Sequence, residues 1–259
     1  MCGNIMRNIK SISKKMSLDY LRKWIRIIQF KINRIYHERI VFHLMPSEMK
    51  FRSIWRHNYW GDSESNSGPG STLFQASNLI AHFPKFVEKF NIKSIFDAPC
   101  GDFNWMNVAL TSTPKIEYMG GDLVPDIIEF LNTNHKIENV NFRIFDITKE
   151  KFPKADVWMA RAIFYHLSFS DIYLALNNFV KSEIPYILTT NCVTEIDHIN
   201  TDIKSGGWRL LNLKLPPFNF PNDALWEIDD SKDPHPKMKL TLWTRAQVEN
   251  LLPQIKRSL

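Results

Sequence analysis

From Lys93 to Asn191 the chain repeats one order, a short apolar run, a turn and an amphipathic stretch. "SIFDA", "YMGGDL", "VNFRIFDIT", "ADVWMAR" and "PYILTTN" read as five strands. A helix is expected between the first two, "VPDIIEFLNTN" reads as another, and "SFSDIYLALNNFVKS" as a third opened by Ser170. Strands and helices alternating at this pace argue for a parallel sheet covered on both faces. Past Asn191 the pattern breaks. "SGGWRLLNLKLPPFNFPNDALWEID" is rich in aromatics and proline, and "MKLTLWTRAQVENLLPQI" reads as a strand followed by a short helix.

The 259 residues can bury one substantial core, and no linker separates two independent domains. Two regions are expected, a basic helical extension over 1–50 and a single α/β domain over 51–259. Cys2, Cys100 and Cys192 are too widely spaced for a disulfide framework or a zinc site. A reducing compartment, the cytoplasm, is expected. No run approaches the roughly 18 uncharged apolar residues of a membrane span, and no signal peptide fits.

Charge is concentrated at the start. Residues 1–45 hold ten Lys and Arg against Asp19 and Glu38, a net +8. The whole chain carries +6, which leaves −2 for the remainder. Leu18, Leu21, Ile25, Ile28, Ile32 and Ile35 recur at helical spacing, with Arg22, Lys23, Arg26 and Arg34 largely off that stripe. This basic amphipathic helix suits packing on the domain or on a second copy. Peripheral contact with an anionic membrane, at its inner face, is the next expectation. A basic tail on a near-neutral body does not call for nucleic acid.

"WRHNYWGDSESNSGPGST" is a polar loop ahead of the helix "LFQASNLIAHFPKFVEKF", which Ser71 or Thr72 would cap. Trp60, Asp62, Glu64 and Ser65 crowd this loop with groups able to grip a ligand.

The strand-to-helix turn "DAPCGDFNWM" decides the cofactor class. A dinucleotide calls for Gly-x-Gly-x-x-Gly at this turn, and only Gly101 is present, flanked by Asp97 and Asp102. Their charge would repel a pyrophosphate and favour a cationic ligand such as S-adenosylmethionine. Asp122 closes the second strand, 25 positions after Asp97, where nucleotide folds place a carboxylate on the ribose hydroxyls. Asp146 closes the third, where it can accept from an adenine amino group with Ile147 beside the ring. One acid after a strand is ordinary turn chemistry. Three at successive strand ends on one sheet edge make a site.

With these residues the chain resembles the class I S-adenosylmethionine-dependent methyltransferases. "FDAPCGDFNW" is similar to their first motif, "GGDLVPDII" to their second-strand acid, "FDIT" to their adenine-side acid and "ARAIFYHLS" to their fourth-strand motif. The resemblance covers roughly residues 55 to 252. It implies a doubly wound, mostly parallel seven-stranded sheet. It also implies cofactor contacts from Trp60, Asp97, Pro99, Gly101, Asp102, Asp122, Leu123, Asp146, Ile147 and Arg161. "WGDSESNSGPGST" and "GGWRLLNLKLPPFNFP" also look like a bacterial subgroup associated with surface-glycan gene clusters, implying a glycan or small-molecule acceptor. That subgroup implies an acid after the fourth-strand arginine; here Ala162 follows Arg161.

Methyl transfer to a hydroxyl needs alignment and a base. His166, just past the fourth strand, is the candidate, with Asp62 and Glu64 as substitutes. Trp208, Phe218 and Phe220 offer flat faces, and Arg209 and Asn212 offer donors, for the acceptor. No spacing of His, Asp and Glu calls for a metal.

Overall fold

The computed structural model describes Tyr20, Ile25, residues 44–60 and residues 62–259. The amphipathic helix expected over 18–35 lies almost wholly outside the described residues. The first continuous helix, α1 (Ser47–Arg56), packs Ile54 against Met45, Phe51, Tyr59 and Trp60. The boundary expected between residues 50 and 51 falls inside α1. After a 3-10 turn at Pro69–Ser71, helix α2 (Leu73–Lys89) begins where the Thr72 hydroxyl accepts from Gln75 N–H.

The alternation that follows is the one expected. It runs β1 (Ser94–Asp97), α3 (Asn104–Thr111), β2 (Glu117–Asp122), α4 (Pro125–Asn134), β3 (Val140–Ile144), β4 (Val157–Ala160), α5 (Phe169–Val180) and β5 (Tyr186–Cys192). Three more elements complete the chain: β6 (Trp226–Asp229), β7 (Met238–Thr244) and α6 (Arg245–Ser258). Helix α5 starts two residues earlier than the sequence suggested. Ser168, not Ser170, is its cap, with its hydroxyl accepting from Asp171 N–H.

The seven strands form one sheet in the order β3-β2-β1-β4-β5-β7-β6. The first five strands pair in parallel, and β7 runs antiparallel to both neighbours. The chain therefore reverses strand order between β1 and β4, and the crevice at such a reversal is where open α/β sheets bind ligands. One core layer joins α2, α3 and α4 to one face of the sheet through Phe86, Trp105, Tyr118 and Leu131. The other joins α5 and α6 to the opposite face through Trp158, Phe179, Trp243 and Ile255. Burial on both faces explains why β4 reads as an unbroken apolar run, with all four residues buried.

Candidate functional site

At the carboxyl ends of β1, β2 and β3 lies a cavity of about 450 Å³. Parallel register sets its floor. Asp97 pairs with Gly120, so Asp122 stands two residues further along β2, and Asp146 follows Ile144 by two. All three line the cavity, together with Pro99, Gly101, Asp102, Leu123, Ile147, Arg161 and Trp60. The structure thus gathers every residue the sequence assigned to the cofactor.

The turn after β1 is shaped by Gly101, whose φ of +55° lies in the left-handed region. A Cβ there would sit 2.3 Å from Ser67 Oγ. That oxygen accepts from Asp102 N–H at 2.8 Å. Asp102 itself accepts from Ser65 Oγ at 2.7 Å and from Asn104 N–H, tying the loop before α2 to the start of α3.

Two of the acids have no cationic side chain bonded to them among the described residues. Asp97 accepts from Tyr118 Oη at 2.7 Å. Burial pushes its pKa to about 7, against the pull of that hydrogen bond and of Arg161. Asp122 accepts from Gly101 N–H at 3.2 Å and Val124 N–H at 3.0 Å. Burial raises it to about 6 despite those donors. Asp146 differs. Its partial burial is outweighed by donors from Lys149 and Thr148, which hold it below the usual carboxylate range. Asp97 and Asp122 thus form an electronegative wall whose charge is costly until a cation arrives.

Arg161 lines the same cavity, but most of its donors are spent. Nε donates to Asp230 at 2.8 Å, and Nη2 to the Gly70 carbonyl at 2.8 Å and to Asp230. The guanidinium stacks 5.0 Å from the Trp105 ring. Arg161 is first a strut between β4, the loop before α2 and the β6–β7 connection. Ala162 follows with φ +58°, its N–H donating to Thr190 Oγ1.

His166 lines the cavity beside Trp60, ring centres 5.1 Å apart. Its Nδ1 lies 2.7 Å from the Gly207 carbonyl. A carbonyl only accepts, so Nδ1 carries the hydrogen and Nε2 keeps its lone pair. Burial lowers the pKa to about 4, the Gly207 bond opposing and the Arg209 charge assisting. His166 is therefore neutral near pH 7. Nitrogen NMR should find it as the Nδ1–H tautomer down to pH 5; protonation midway between pH 6 and 7 would contradict this environment.

The residues expected to meet the acceptor lie outside the cavity lining, and all but Trp208 have an internal task. Asp62 Oδ1 accepts from Glu64 and Ser65 N–H, a side-chain turn within the loop. Glu64 Oε1 accepts from Leu73 N–H at the start of α2 and from Asn104. Asn212 bonds Thr194, Asn200 and Lys214. Phe218 and Phe220 are buried in core, against Phe169 and Trp243 respectively. Trp208 is 52% exposed.

Arg209 shows what the "SGGWR" segment does. Gly206 N–H donates to the His166 carbonyl, Arg209 N–H to Tyr165 and Arg209 Nη1 to Leu167. Ser168 N–H donates to Ser205 Oγ. With the Gly207 bond, these fasten residues 205–209 around the turn that carries His166.

A further wall of the cavity, which the sequence did not announce, is α1. Phe51 and Trp55 face the cavity, and Arg52 and Arg56 both pair with Asp126 of α4, Arg56 Nε at 2.9 Å. The spacing of Phe51, Ile54 and Trp55 was the available signal. Among the described residues no group of three or more His, Cys, Asp and Glu could hold a metal, and no helix is long and apolar enough to cross a membrane.

No protein-family model matches the chain, and no curated protein matches it. Solved structures do. Human N-acetylserotonin methyltransferase in complex with S-adenosylmethionine superposes with a TM-score of 0.53 at 14% identity, covering 76% of this chain and 59% of that one. PigF with S-adenosylhomocysteine gives 0.54 at 13%, over 85% and 69%. Magnesium protoporphyrin IX methyltransferase from Synechocystis, with bound S-adenosylhomocysteine, gives 0.52 at 9%, over 83% and 99%. The chain spans just under three-fifths of the human enzyme's length. The fold is shared with these structures, which hold S-adenosylmethionine or S-adenosylhomocysteine. Identities this low carry the fold and leave activity to the site.

Proposed function

We propose that this protein transfers the methyl group of S-adenosylmethionine to a hydroxyl of a sugar-containing acceptor. The observation that carries the cofactor half is the pair of buried carboxylates, Asp97 and Asp122, with no cationic side chain bonded to either among the described residues. A ligand with an ammonium and a sulfonium matches that wall in sign, and the 450 Å³ cavity lies within the usual range for a cofactor or small-ligand site. Asp122 would accept from the ribose hydroxyls, while Ile147 and Leu123 would flank the adenine. When bound, the cofactor supplies an electrophilic methyl for in-line displacement.

The chain's own part is to align, to exclude water and to take a proton. Orientation of the kind a closed cavity provides is worth about 7–11 kcal/mol. His166 Nε2 would accept the hydrogen of the acceptor hydroxyl as the new carbon–oxygen bond forms and the sulfur–carbon bond breaks. A base with a pKa of about 4 would orient the hydroxyl more than activate it. The flat face of Trp60 beside His166, with Trp55 in the same lining, supports a sugar ring as the acceptor.

Two titrations test this. The wild type should bind S-adenosylhomocysteine saturably, and Asp122→Ala should weaken that binding by roughly 10–100-fold, the worth of hydrogen bonds to a charged group, with little loss of melting temperature. Equal affinities would remove Asp122 from the ribose. His166→Ala should lower turnover with sugar acceptors while sparing cofactor affinity. Cofactor binding without S-adenosylhomocysteine formation from any acceptor would instead favour a non-catalytic partner protein, a reading that Ala162 motivates.

A further inference from the structure

Asp97 and Asp122 both line the main cavity, yet they are held in different ways. Asp122 accepts from two backbone amides of the neighbouring turns, those of Gly101 and Val124. The turn after β1 gives Asp97 nothing of the kind. Ala98 N–H donates to the Met159 carbonyl, Pro99 has no N–H, and Cys100 N–H donates to the Gly121 carbonyl. Among the described residues one group donates to Asp97, the Tyr118 hydroxyl, which reaches Oδ2 at 2.7 Å. Oδ1 has no donor among the described residues.

The sheet places that hydroxyl. Tyr118 pairs with Ile95 and Gly120 with Asp97, so all four positions share one face. Tyr118 is fully buried, its ring centre 5.1 Å from that of Phe103 and 6.1 Å from that of Phe142. Phe142 fills the space a side chain at Gly120 would need, since a Cβ there would lie 2.7 Å from its ring. Phenylalanine at position 118 would pack as well, and a buried hydroxyl is costly unless bonded. What the oxygen adds is its bond to Asp97.

The other charged and titratable groups facing Asp97 act through space. Arg161, from the end of β4, attracts its charge, and Asp122, from the end of β2, repels it. The Cys100 thiol in the turn is pushed up by burial and stays neutral. Burial and the Asp97 charge also raise the Tyr118 phenol above its ordinary range, so it keeps a hydrogen to donate.

We propose that Tyr118 is a positioning residue of the cofactor site: its hydroxyl holds one oxygen of Asp97, leaves the other to the cavity, and so sets the pH below which the site releases its cation. Without that hydroxyl Asp97 would keep its proton to higher pH. That the cation belongs to the cofactor rests on the methyl-transfer reading; the hold of Tyr118 on Asp97 does not.

The test is Tyr118→Phe, which keeps the ring and removes the oxygen. Carbon NMR of the unliganded full chain should place the Asp97 carboxyl midpoint about one to two pH units above that of wild type, the worth of a hydrogen bond to a charged group. S-adenosylhomocysteine affinity is read as the ratio of wild type to variant, so that the ligand's own titration cancels. That ratio should be about 10–100 at pH 6 and no more than about 2 at pH 9. In an Asp97→Asn background the same substitution should change affinity by less than about twofold at either pH. In wild type the Tyr118 Cζ resonance should step at the Asp97 midpoint, which reads the bond even if the variant does not fold. An unmoved midpoint, a Tyr118 resonance blind to Asp97, or a ratio constant with pH would overturn the proposal and leave Tyr118 as core filling. A wild type that ignores S-adenosylhomocysteine while the midpoint moves as expected would leave the hold on Asp97 standing and refute the methyl-transfer reading.

Discussion

Asp97→Asn is expected to stabilise the unliganded protein at pH 8 and to remove most of its affinity for the cofactor. The stability half follows from linkage. An aspartate with a pKa of 3.8 unfolded and about 7 folded holds its proton more tightly in the native state. Its contribution to stability is complete below pH 3.8 and is lost as pH rises through 7. Three pH units of such loss correspond to about 4 kcal/mol at most. Asparagine has no proton to lose, and its carbonyl can still accept from Tyr118 Oη, so that hydroxyl is not orphaned. The advantage of the variant should shrink to under about 2 kcal/mol at pH 5, where most of the wild-type carboxyl is already neutral. Denaturant melts at the two pH values measure it. A variant less stable than wild type at pH 8 would show that Asp97 is not strained by its charge.

The binding half has its own signature. A cation needs Asp97 and Asp122 ionised, and their pKa values of about 7 and 6 place both titrations in an accessible range. Cofactor affinity in the wild type should fall about tenfold per pH unit between 7 and 6, and more steeply below 6, as one and then two protons must leave. Binding at pH 7 should release about half a proton, which calorimetry in buffers of different ionisation enthalpy detects. Asp97→Asn should flatten the upper part of that slope and leave the part below pH 6, which belongs to Asp122. The apo protein thus carries an electrostatic cost that its ligand removes, and functional sites commonly trade stability in this way.

These acids were legible in the sequence because sheet geometry makes them so. A strand buried on both faces is an unbroken apolar run, and a polar residue at its end marks where the sheet stops. That rule finds Asp97 at the end of β1; Asp122 and Asp146 came from the strand-helix alternation, since β2 opens on Glu117 and β3, at the sheet edge, exposes Asn141 and Arg143. The acceptor side was not legible in the same way. "GGWR" carries an aromatic and a donor, which suggests a ligand wall, yet its work is backbone hydrogen bonding to Tyr165, His166 and Leu167 about 40 residues away. Nothing in local spacing announces a backbone partner at that distance. Glu64 was misplaced for a related reason, since its carboxylate caps α2 from nine residues upstream of Leu73. Helix α1, "SEMKFRSIWR", straddles the boundary expected between residues 50 and 51. Only its pairing with Asp126 and its apolar edge give it a place over the cavity.

Arg161→Ala should be the most destabilising of the changes considered, by about 3–5 kcal/mol, because it leaves the partner carboxylate buried and unpaired. Asp230 is nearly inaccessible, and burial raises its pKa even with Arg161 beside it. Without the guanidinium it keeps one donor, Thr190 Oγ1 at 3.0 Å. The Gly70 carbonyl loses its donor as well. For a chain of this size the loss corresponds to a fall of roughly 10 °C in melting temperature. The deficit should be larger at pH 8 than at pH 5, since a protonated Asp230 no longer needs a cation. Arg161→Ala combined with Asp230→Asn should recover part of it. The same variant separates the two roles of Arg161. Removing its charge from beside Asp97 raises the Asp97 pKa further, so the cofactor-affinity curve should move to higher pH while the affinity at its plateau changes little. If Arg161 instead gripped the cofactor's carboxylate, the plateau itself would fall and stability would scarcely change. Nε and Nη2 are committed to Asp230 and Gly70, which favours the first pattern; a fall of the plateau would assign the cofactor's carboxylate to Nη1.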